Sequence, residues 1–215
     1  MNKYITEFIG TFFLVLTVGV AGVLGSAGNF APLAIGSVLM VMIFAGGHIS
    51  GGHYNPAVTL AVFLRGRCPV SDVAPYIIAQ LIGAGIAALS VTRFFLVAVV
   101  GEGGSIRPME FEVGRAVIAA EFLFTYALAY TVLNVATAKG NKDNSFYGLA
   151  IGFMVMVGAF TVGEVSLGGF NPAVSTGFII MGKLSIGDSW LHFVPQLVAG
   201  GLAASTFKVL NPADE

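Results

Sequence analysis

The chain has 215 residues, of which 56% are hydrophobic and only 10% are charged. A soluble domain carries about 25% charged residues, and a mean hydropathy of +0.89 excludes a disordered chain as well. The formal net charge of −1 leaves no basic surface for nucleic acid. The single cysteine, Cys68, has no partner for an internal disulfide. This composition indicates a polytopic helical membrane protein.

Six apolar stretches are long enough to cross a bilayer, because about 20 apolar residues span its ~30 Å hydrocarbon core as a helix. We predict these spans at 5–25, 32–48, 73–98, 114–137, 146–163 and 189–208. The first stretch also resembles a cleaved signal peptide, with Lys3 ahead of an apolar run that passes Val20-Ala21-Gly22. Glu7 interrupts that run, and the run continues to Leu24. Both features favour a membrane span.

Two further apolar stretches, at 55–65 and 171–181, are too short to span a bilayer. Each begins with Asn-Pro, which places a favoured N-cap before a proline in the first helical turn. Glycine-rich backbone precedes each one, from His48 to His53 and from Gly163 to Gly169. Irregular backbone at membrane depth requires surrounding protein or a water-filled cavity. We therefore predict two re-entrant half-helices.

Four landmarks of the first half recur in the same order in the second half. They are Leu33-Ala34-Ile35-Gly36 and Leu149-Ala150-Ile151-Gly152, Asn55-Pro56-Ala57-Val58 and Asn171-Pro172-Ala173-Val174, and Gln80 and Gln196, all 116 residues apart, together with Glu7 and Glu121, 114 apart. Three spans per half is an odd number, so the second copy enters the membrane from the opposite face. The sequence thus predicts a single all-α membrane domain over 1–215, built as an inverted repeat with copies at about 1–98 and 114–210.

The distribution of basic residues predicts the orientation in the membrane. If Lys3 is cytoplasmic, the inner face holds six Lys or Arg and the outer face four, which agrees with the positive-inside rule. The inner set is Lys3, Arg65, Arg67, Lys139, Lys142 and Lys208, and the outer set is Arg93, Arg107, Arg115 and Lys183. We expect a multi-pass protein of the plasma or inner membrane with both termini cytoplasmic.

The two asparagines of the half-helices are the first candidate site. Asn55 and Asn171 can each cap a helix and still offer side-chain N–H donors. Each helix N-terminus also contributes about half a positive charge. Two such ends that face each other favour water or a hydroxyl group and repel cations.

Two acidic residues and two histidines are further candidates. Glu7 and Glu121 are either a proton or ion relay or a brace for the irregular loops, and the absence of an adjacent Lys or Arg in the spans favours the brace. His48 and His53 lack the cysteine or carboxylate neighbours of a metal site, so we expect them to line the inner vestibule. No His, Ser or Cys cluster has catalytic spacing, so we expect neither an enzyme nor a metal site.

These motifs resemble those of the major intrinsic proteins, the aquaporin and glycerol-facilitator family. The resemblance covers about residues 5 to 208 and is carried by Glu7-Phe8-Ile9-Gly10-Thr11, Ser50 to Thr59, Glu121-Phe122 and Gly168 to Ala173. It implies an aquaporin-like fold of six helices and two half-helices, one pore per subunit and a homotetramer in the lipid bilayer. It also implies passive flux of water or small neutral solutes without a cofactor.

One position departs from the family pattern. Family members usually have arginine after the second Asn-Pro-Ala, where this chain has Val174, and glycerol facilitators usually follow with aspartate, where it has Ser175. The family's spacing places the other filter positions at Ile35, Ala159 and Gly168, which predicts a wide apolar filter. The alternatives are a facilitator of glycerol, urea, ammonia or metalloid hydroxide with little water specificity, and a coupled secondary transporter, since transporters also use broken helices in inverted repeats.

Overall fold

A computed structural model describes residues 1–214 of the chain as a helical structure. Glu215, the last residue of the predicted domain, lies outside the described residues. The α-helices are α1 (Asn2–Thr17), α2 (Ala31–Ser50), α3 (Pro56–Leu64), α4 (Val70–Ser90), α5 (Leu96–Val100), α6 (Gly114–Val132), α7 (Tyr147–Ser166), α8 (Pro172–Met181) and α9 (Trp190–Leu210). Turns of π-helix extend α1 over Val18–Val23, join α4 to α5 over Val91–Phe95 and extend α6 over Leu133–Thr137.

The six predicted spans are confirmed. Within residues 1–214, six helical segments are long and apolar enough to cross a membrane, at Asn2–Val23, Gly28–Ser50, Val70–Val100, Gly114–Thr137, Tyr147–Ser166 and Trp190–Leu210. The third begins three residues before its predicted start at 73, because the extended backbone of Pro69 (φ −62°, ψ 143°) ends just before Val70. The half-helices α3 and α8 have 9 and 10 residues, too few to span a bilayer.

The two halves of the chain interlock through their half-helices. Within each half the first and last full helices pack together, α1 on α4 and α6 on α9. The half-helices cross over, since α3 packs mainly on α9 and α8 mainly on α4. Each half-helix therefore rests on the last full helix of the other half, which brings the N-termini of α3 and α8 together at the centre.

Close approach of α2 and α7 explains why one short motif recurs. A Cβ atom on Gly36 would lie 2.6 Å from the carbonyl oxygen of Gly152, and a Cβ atom on Gly152 would lie 2.5 Å from that of Gly36. The two glycines let the backbones touch, as small residues do between membrane helices. Gly200 has the same role between α9 and α3, where a Cβ atom would lie 2.6 Å from the carbonyl oxygen of Ala57.

Candidate pore

The two asparagines meet at the centre and bond to each other's half of the protein. The Oδ1 atom of Asn55 accepts a hydrogen bond from the backbone N–H of Ala57, and that of Asn171 accepts one from Ala173, each at 2.9 Å. The Nδ2 atom of Asn55 donates to the carbonyl of Phe170, and that of Asn171 donates to the carbonyl of Tyr54, each at 2.9 Å. A side-chain amide has two N–H donors, so one donor of each asparagine stays available to the lumen.

Glu7 accepts four hydrogen bonds in a fully buried position. The hydroxyl of Ser50 (2.7 Å) and the backbone N–H of His53 (3.0 Å) donate to Oε1. The backbone N–H of Tyr54 and the side-chain amide of Gln80 donate to Oε2, each at 2.7 Å. These bonds offset the cost of burying a carboxylate without a neighbouring cation.

Glu121 has the same arrangement in the second half. Ser166 (2.7 Å) and the backbone N–H of Gly169 (3.0 Å) donate to Oε1, and the backbone N–H of Phe170 and the Gln196 amide donate to Oε2 at 2.7 Å each. Each glutamate thus connects a full helix to the loop that precedes a half-helix. Every partner in one half has its counterpart in the other at the same distance.

Three adjoining cavities form a path through the centre of the chain. We name its two ends after residues at each face, the Lys3 face and the Lys183 face. The vestibule at the Lys3 face has a volume of about 800 Å³, and the one at the Lys183 face about 560 Å³. The central cavity between them has about 20 Å³, enough for about one water molecule. Its lining includes His53 and Val132, which also line the Lys3-side vestibule, and Val18 and Ile35, which also line the Lys183-side vestibule.

Aliphatic side chains in repeat-related pairs form most of the wall of the central cavity. The pairs are Leu14 with Leu128, Val18 with Val132, Ile35 with Ile151, Leu39 with Val155 and Val58 with Val174. Asn55, Asn171, His53 and Tyr54 also line this cavity, and the Tyr54 hydroxyl donates to the Met42 carbonyl. The narrow segment is therefore apolar, with its amide donors at the middle.

The structure brings together three of the four residues expected at the filter. Ile35, Gly168 and Val174 line the central cavity. Ala159 lines the Lys183-side vestibule instead, which Ile35 also lines. The ring of Phe170 is buried against Phe124, with ring centroids 5.4 Å apart. This ring therefore does not take the place in the lumen that the usual arginine at position 174 would fill.

Charged side chains are concentrated at the Lys3-side vestibule. Its lining includes Arg67, Lys139, Lys142 and Asp143, together with both predicted histidines, His48 and His53. One acidic and one basic residue, Glu164 and Lys183, line the other vestibule. Residues 1–214 contain no group of three or more His, Cys, Asp or Glu side chains placed to hold a metal ion.

Sequence reasoning missed several residues that complete the site. Ser50 and Ser166 donate to the two glutamates, and the hydroxyls of Thr59 and Ser175 each accept from a glutamine, Gln80 or Gln196. All of these pairs keep the spacing of 116 residues. A search of the sequence for polar residues that recur 116 positions later would have identified these serines and Thr59.

Six spanning helices, two half-helices that meet end to end and a central line of cavities define a helical membrane protein with an internal path across it. The chain belongs to the major intrinsic protein family, whose model matches residues 1–207. The predicted family and the predicted aquaporin-like fold are thereby confirmed.

Relatives and solved structures agree with this family. The chain is 35% identical to aquaporin Z of Rhodopseudomonas palustris over 98% of this chain and 94% of that protein. It is also 35% identical to the glycerol uptake facilitator protein-like 6 of Lactiplantibacillus plantarum, over 100% of both chains. The structure of the aquaglyceroporin from Plasmodium falciparum superimposes with a TM-score of 0.80 at 21% identity, covering 99% of this chain and 97% of that chain. This last likeness shows the fold.

Proposed function

We propose that the protein is a passive channel for water and small uncharged solutes. Membership of the major intrinsic protein family supports a channel for water or small solutes. The observation that carries the proposal is the line of three cavities that passes between Asn55 and Asn171.

A neutral molecule and a cation meet different conditions in this path. A water or hydroxyl oxygen accepts a hydrogen bond from the free N–H of Asn55 or Asn171 at the centre. A cation meets two helix N-termini, each with about half a positive charge, inside an apolar wall that offers little compensation for lost hydration. These conditions favour neutral solutes over ions along the path.

Selectivity among neutral solutes depends on the aliphatic wall. Val174 stands where family members usually have arginine, so this chain has fewer hydrogen-bond donors and less bulk at that point. The central cavity holds about one water molecule, so larger solutes require aliphatic side chains to rotate. The apolar lining favours a second candidate function, a facilitator of glycerol, urea, ammonia or metalloid hydroxide with little water specificity.

The proposal includes an orientation and an assembly. We infer that the Lys3 face is cytoplasmic, because Lys3, Arg65, Arg67, Lys139, Lys142 and Lys208 belong to that side. The family resemblance supports a homotetramer in the cell membrane, with one pore in each subunit. A coupled transporter is disfavoured, because both buried glutamates are occupied by loop donors.

Solute flux in proteoliposomes tests the proposal. Water, glycerol, urea and ammonia are compared on one preparation by stopped-flow light scattering, with empty liposomes of the same lipid as the control. We expect water flux and flux of at least one larger solute, rising linearly with the gradient and independent of sodium and proton gradients. Saturating flux that requires an ion gradient would instead identify a coupled transporter.

A further inference from the structure

A short segment after α9 is bound to two other parts of the chain at the Lys3 face. We name residues 211–214 the strap. One carboxylate oxygen of Asp214 accepts from Arg65 Nη2, and the other accepts from the backbone N–H of Lys139, each at 2.7 Å. The Lys139 ammonium also donates to a backbone carbonyl of the strap at 3.3 Å. The strap thus joins the end of α9 to the C-cap of the half-helix α3 and to the loop 138–146.

The ion pair that anchors the strap is withdrawn from water. The side chain of Arg65 is 3% exposed and that of Asp214 is 10% exposed. The Arg65 guanidinium packs against the ring of Phe207, and its Nε atom is buried without a partner. A buried guanidinium that loses its carboxylate is left with an uncompensated charge, which is strongly unfavourable. Burial of Arg65 therefore fixes the position of Asp214, and with it the position of the strap.

The repeat shows that a half-helix can end without such an ion pair. The residue 116 positions after Arg65 is Met181, the last residue of α8, and Met181 is buried and uncharged. The hydrogen bonds of Glu7 and Glu121, by contrast, occur in both halves. A buried ion pair generally stabilises a protein no more than apolar side chains of similar volume, and its best-attested use is to fix one arrangement of parts. The Arg65–Asp214 pair therefore indicates a role that belongs to the Lys3 face alone.

The loop that the strap holds forms much of the wall of the Lys3-side vestibule. The vestibule is lined by five residues of this loop, Lys139, Asn141, Lys142, Asp143 and Asn144. The side chains of Asn141 and Asn144 donate to carbonyls at the end of the preceding span, which keeps the middle of the loop beside the vestibule. The strap fixes the start of the loop at Lys139. With the strap in place the vestibule has a volume of about 800 Å³, so this end of the path is open.

We propose that the strap holds the Lys3-side vestibule open, and that separation of Asp214 from Arg65 lets the loop 138–146 turn inward and lowers permeability. This regulation rests on the channel function proposed above and adds a control point at one face of the path. The loop stays attached beside the vestibule through Asn141 and Asn144, so its released start has the vestibule within reach. The narrow segment between Asn55 and Asn171 is unchanged in this closure.

The test compares permeability with stability in two variants. Asp214→Ala leaves Arg65 buried and unpaired, whereas Asp214→Ala combined with Arg65→Met removes both charges and copies the methionine of the other half. We expect water and urea permeability per incorporated protein to fall about fivefold in both variants, the population change that one hydrogen bond of ordinary net strength gives. The Tm should fall in Asp214→Ala and return towards the wild-type value in the double variant. Low permeability at a restored Tm is a result that a purely structural role of the pair does not give.

Asp143→Ala, which removes another carboxylate from the wall of the same vestibule, is the matched control and should keep the wild-type permeability. Wild-type permeability in the double variant would overturn the role of the strap while leaving the channel intact.

A second measurement reports the loop directly and does not depend on solute flux. A nitroxide spin label is attached to Lys142→Cys in a Cys68→Ser background, and its mobility is read from the electron paramagnetic resonance spectrum in liposomes. We expect a more mobile label in the double variant than in the protein with an intact strap. An unchanged spectrum would overturn the proposal. Wild-type water flux equal to that of empty liposomes would instead overturn the channel function, and with it any control of permeability by the strap.

Discussion

Val174 and Asn171 lie three residues apart along the chain, and we expect them to control different properties of the pore. Val174 is 3% exposed and contributes only aliphatic surface to the central cavity. Asn171 contributes a donor and is tied to Tyr54 across the centre. Substitutions at the two positions therefore separate selection by size from rejection of charge.

We expect Val174→Arg to lower glycerol and urea permeability more than water permeability. The guanidinium adds bulk and five donors to the central cavity. It also adds a unit charge, which at an effective dielectric constant of ~20 contributes about 4 kcal/mol at ~4 Å against a cation. The measurement is stopped-flow permeability for the three solutes in matched liposomes. The control is Val174→Leu, which adds bulk without charge. Unchanged glycerol and urea fluxes in Val174→Arg would show that Val174 does not line the narrowest point of the pore.

Asn171→Asp should raise the leak of sodium ions and protons. The aspartate keeps the cap on Ala173, since Asp is also a good N-cap. It places a negative charge at the half-helix end and opposes the positive field there. It also loses the bond to the Tyr54 carbonyl, at a cost of about 1–3 kcal/mol. Conductance in planar bilayers is the readout, with Asn55→Asp as the repeat-related companion. Wild-type conductance in both would mean that these helix ends are not the main barrier to cations.

At the level of helices, the hydrogen bonds of Glu7 and Glu121 attach the loop before each half-helix to the first full helix of the same half. Glu121→Gln should destabilise the protein by about 3 kcal/mol, because the new amide NH₂ faces two donors and two charge-assisted bonds are lost. Thermal unfolding in detergent measures this. The matched control is Thr125→Val on the same helix, whose buried hydroxyl has no partner. We expect that variant to be neutral or slightly more stable, and equal losses in the two variants would contradict the role of the brace.

The sequence predicted the spans, the half-helices and the repeat, because each depends on local length, apolar content or spacing. Asn-Pro ahead of a 10-residue apolar stretch is sufficient to place α8, for example. The hydrogen bonds from the Asn55 side chain to the Phe170 carbonyl and from the Asn171 side chain to the Tyr54 carbonyl could not be predicted, because they join residues 115 and 117 positions apart in the sequence. The contact between His192 Nδ1 and Ser175 Oγ could not be predicted either, because it depends on how α9 packs against α8.

At the scale of the whole molecule, one ion-pair cluster joins three distant parts of the chain at the Lys3 face. Asp214 accepts from Arg65 Nη2 and from the backbone N–H of Lys139, each at 2.7 Å. Arg65 directly follows α3 as its C-cap residue. Its side chain is 3% exposed, and its guanidinium lies 4.5 Å from the centroid of the Phe207 ring. The cluster ties the segment after α9 to a half-helix and to the loop that lines the vestibule.

This cluster should make stability depend on pH in the acid range. Burial raises the pKa of Asp214, but the backbone N–H of Lys139 and the Arg65 guanidinium together lower this pKa by more. The pKa of Asp214 therefore lies below its ordinary value in the folded protein. A lowered carboxyl pKa contributes stability above the ordinary value of about 3.9, and this is lost as the pH falls through the folded value. Asp214→Asn should therefore lower the Tm at pH 7 and make little difference at acid pH.

The control for that variant is Asp143→Asn, a change of carboxylate in the loop that lines the same vestibule. Its Tm should stay near the wild-type value at pH 7. If Asp214→Asn and wild type have the same Tm at pH 7, the cluster contributes nothing measurable to stability.

Osmotic water permeability at several temperatures, in liposomes with and without the protein, tests whether the path through the chain conducts water. A pore lets water cross without dissolving in hydrocarbon, so we expect a permeability well above that of empty liposomes and a weaker dependence on temperature. Permeability equal to that of empty liposomes, with the same steep temperature dependence, would contradict a water-conducting path between Asn55 and Asn171.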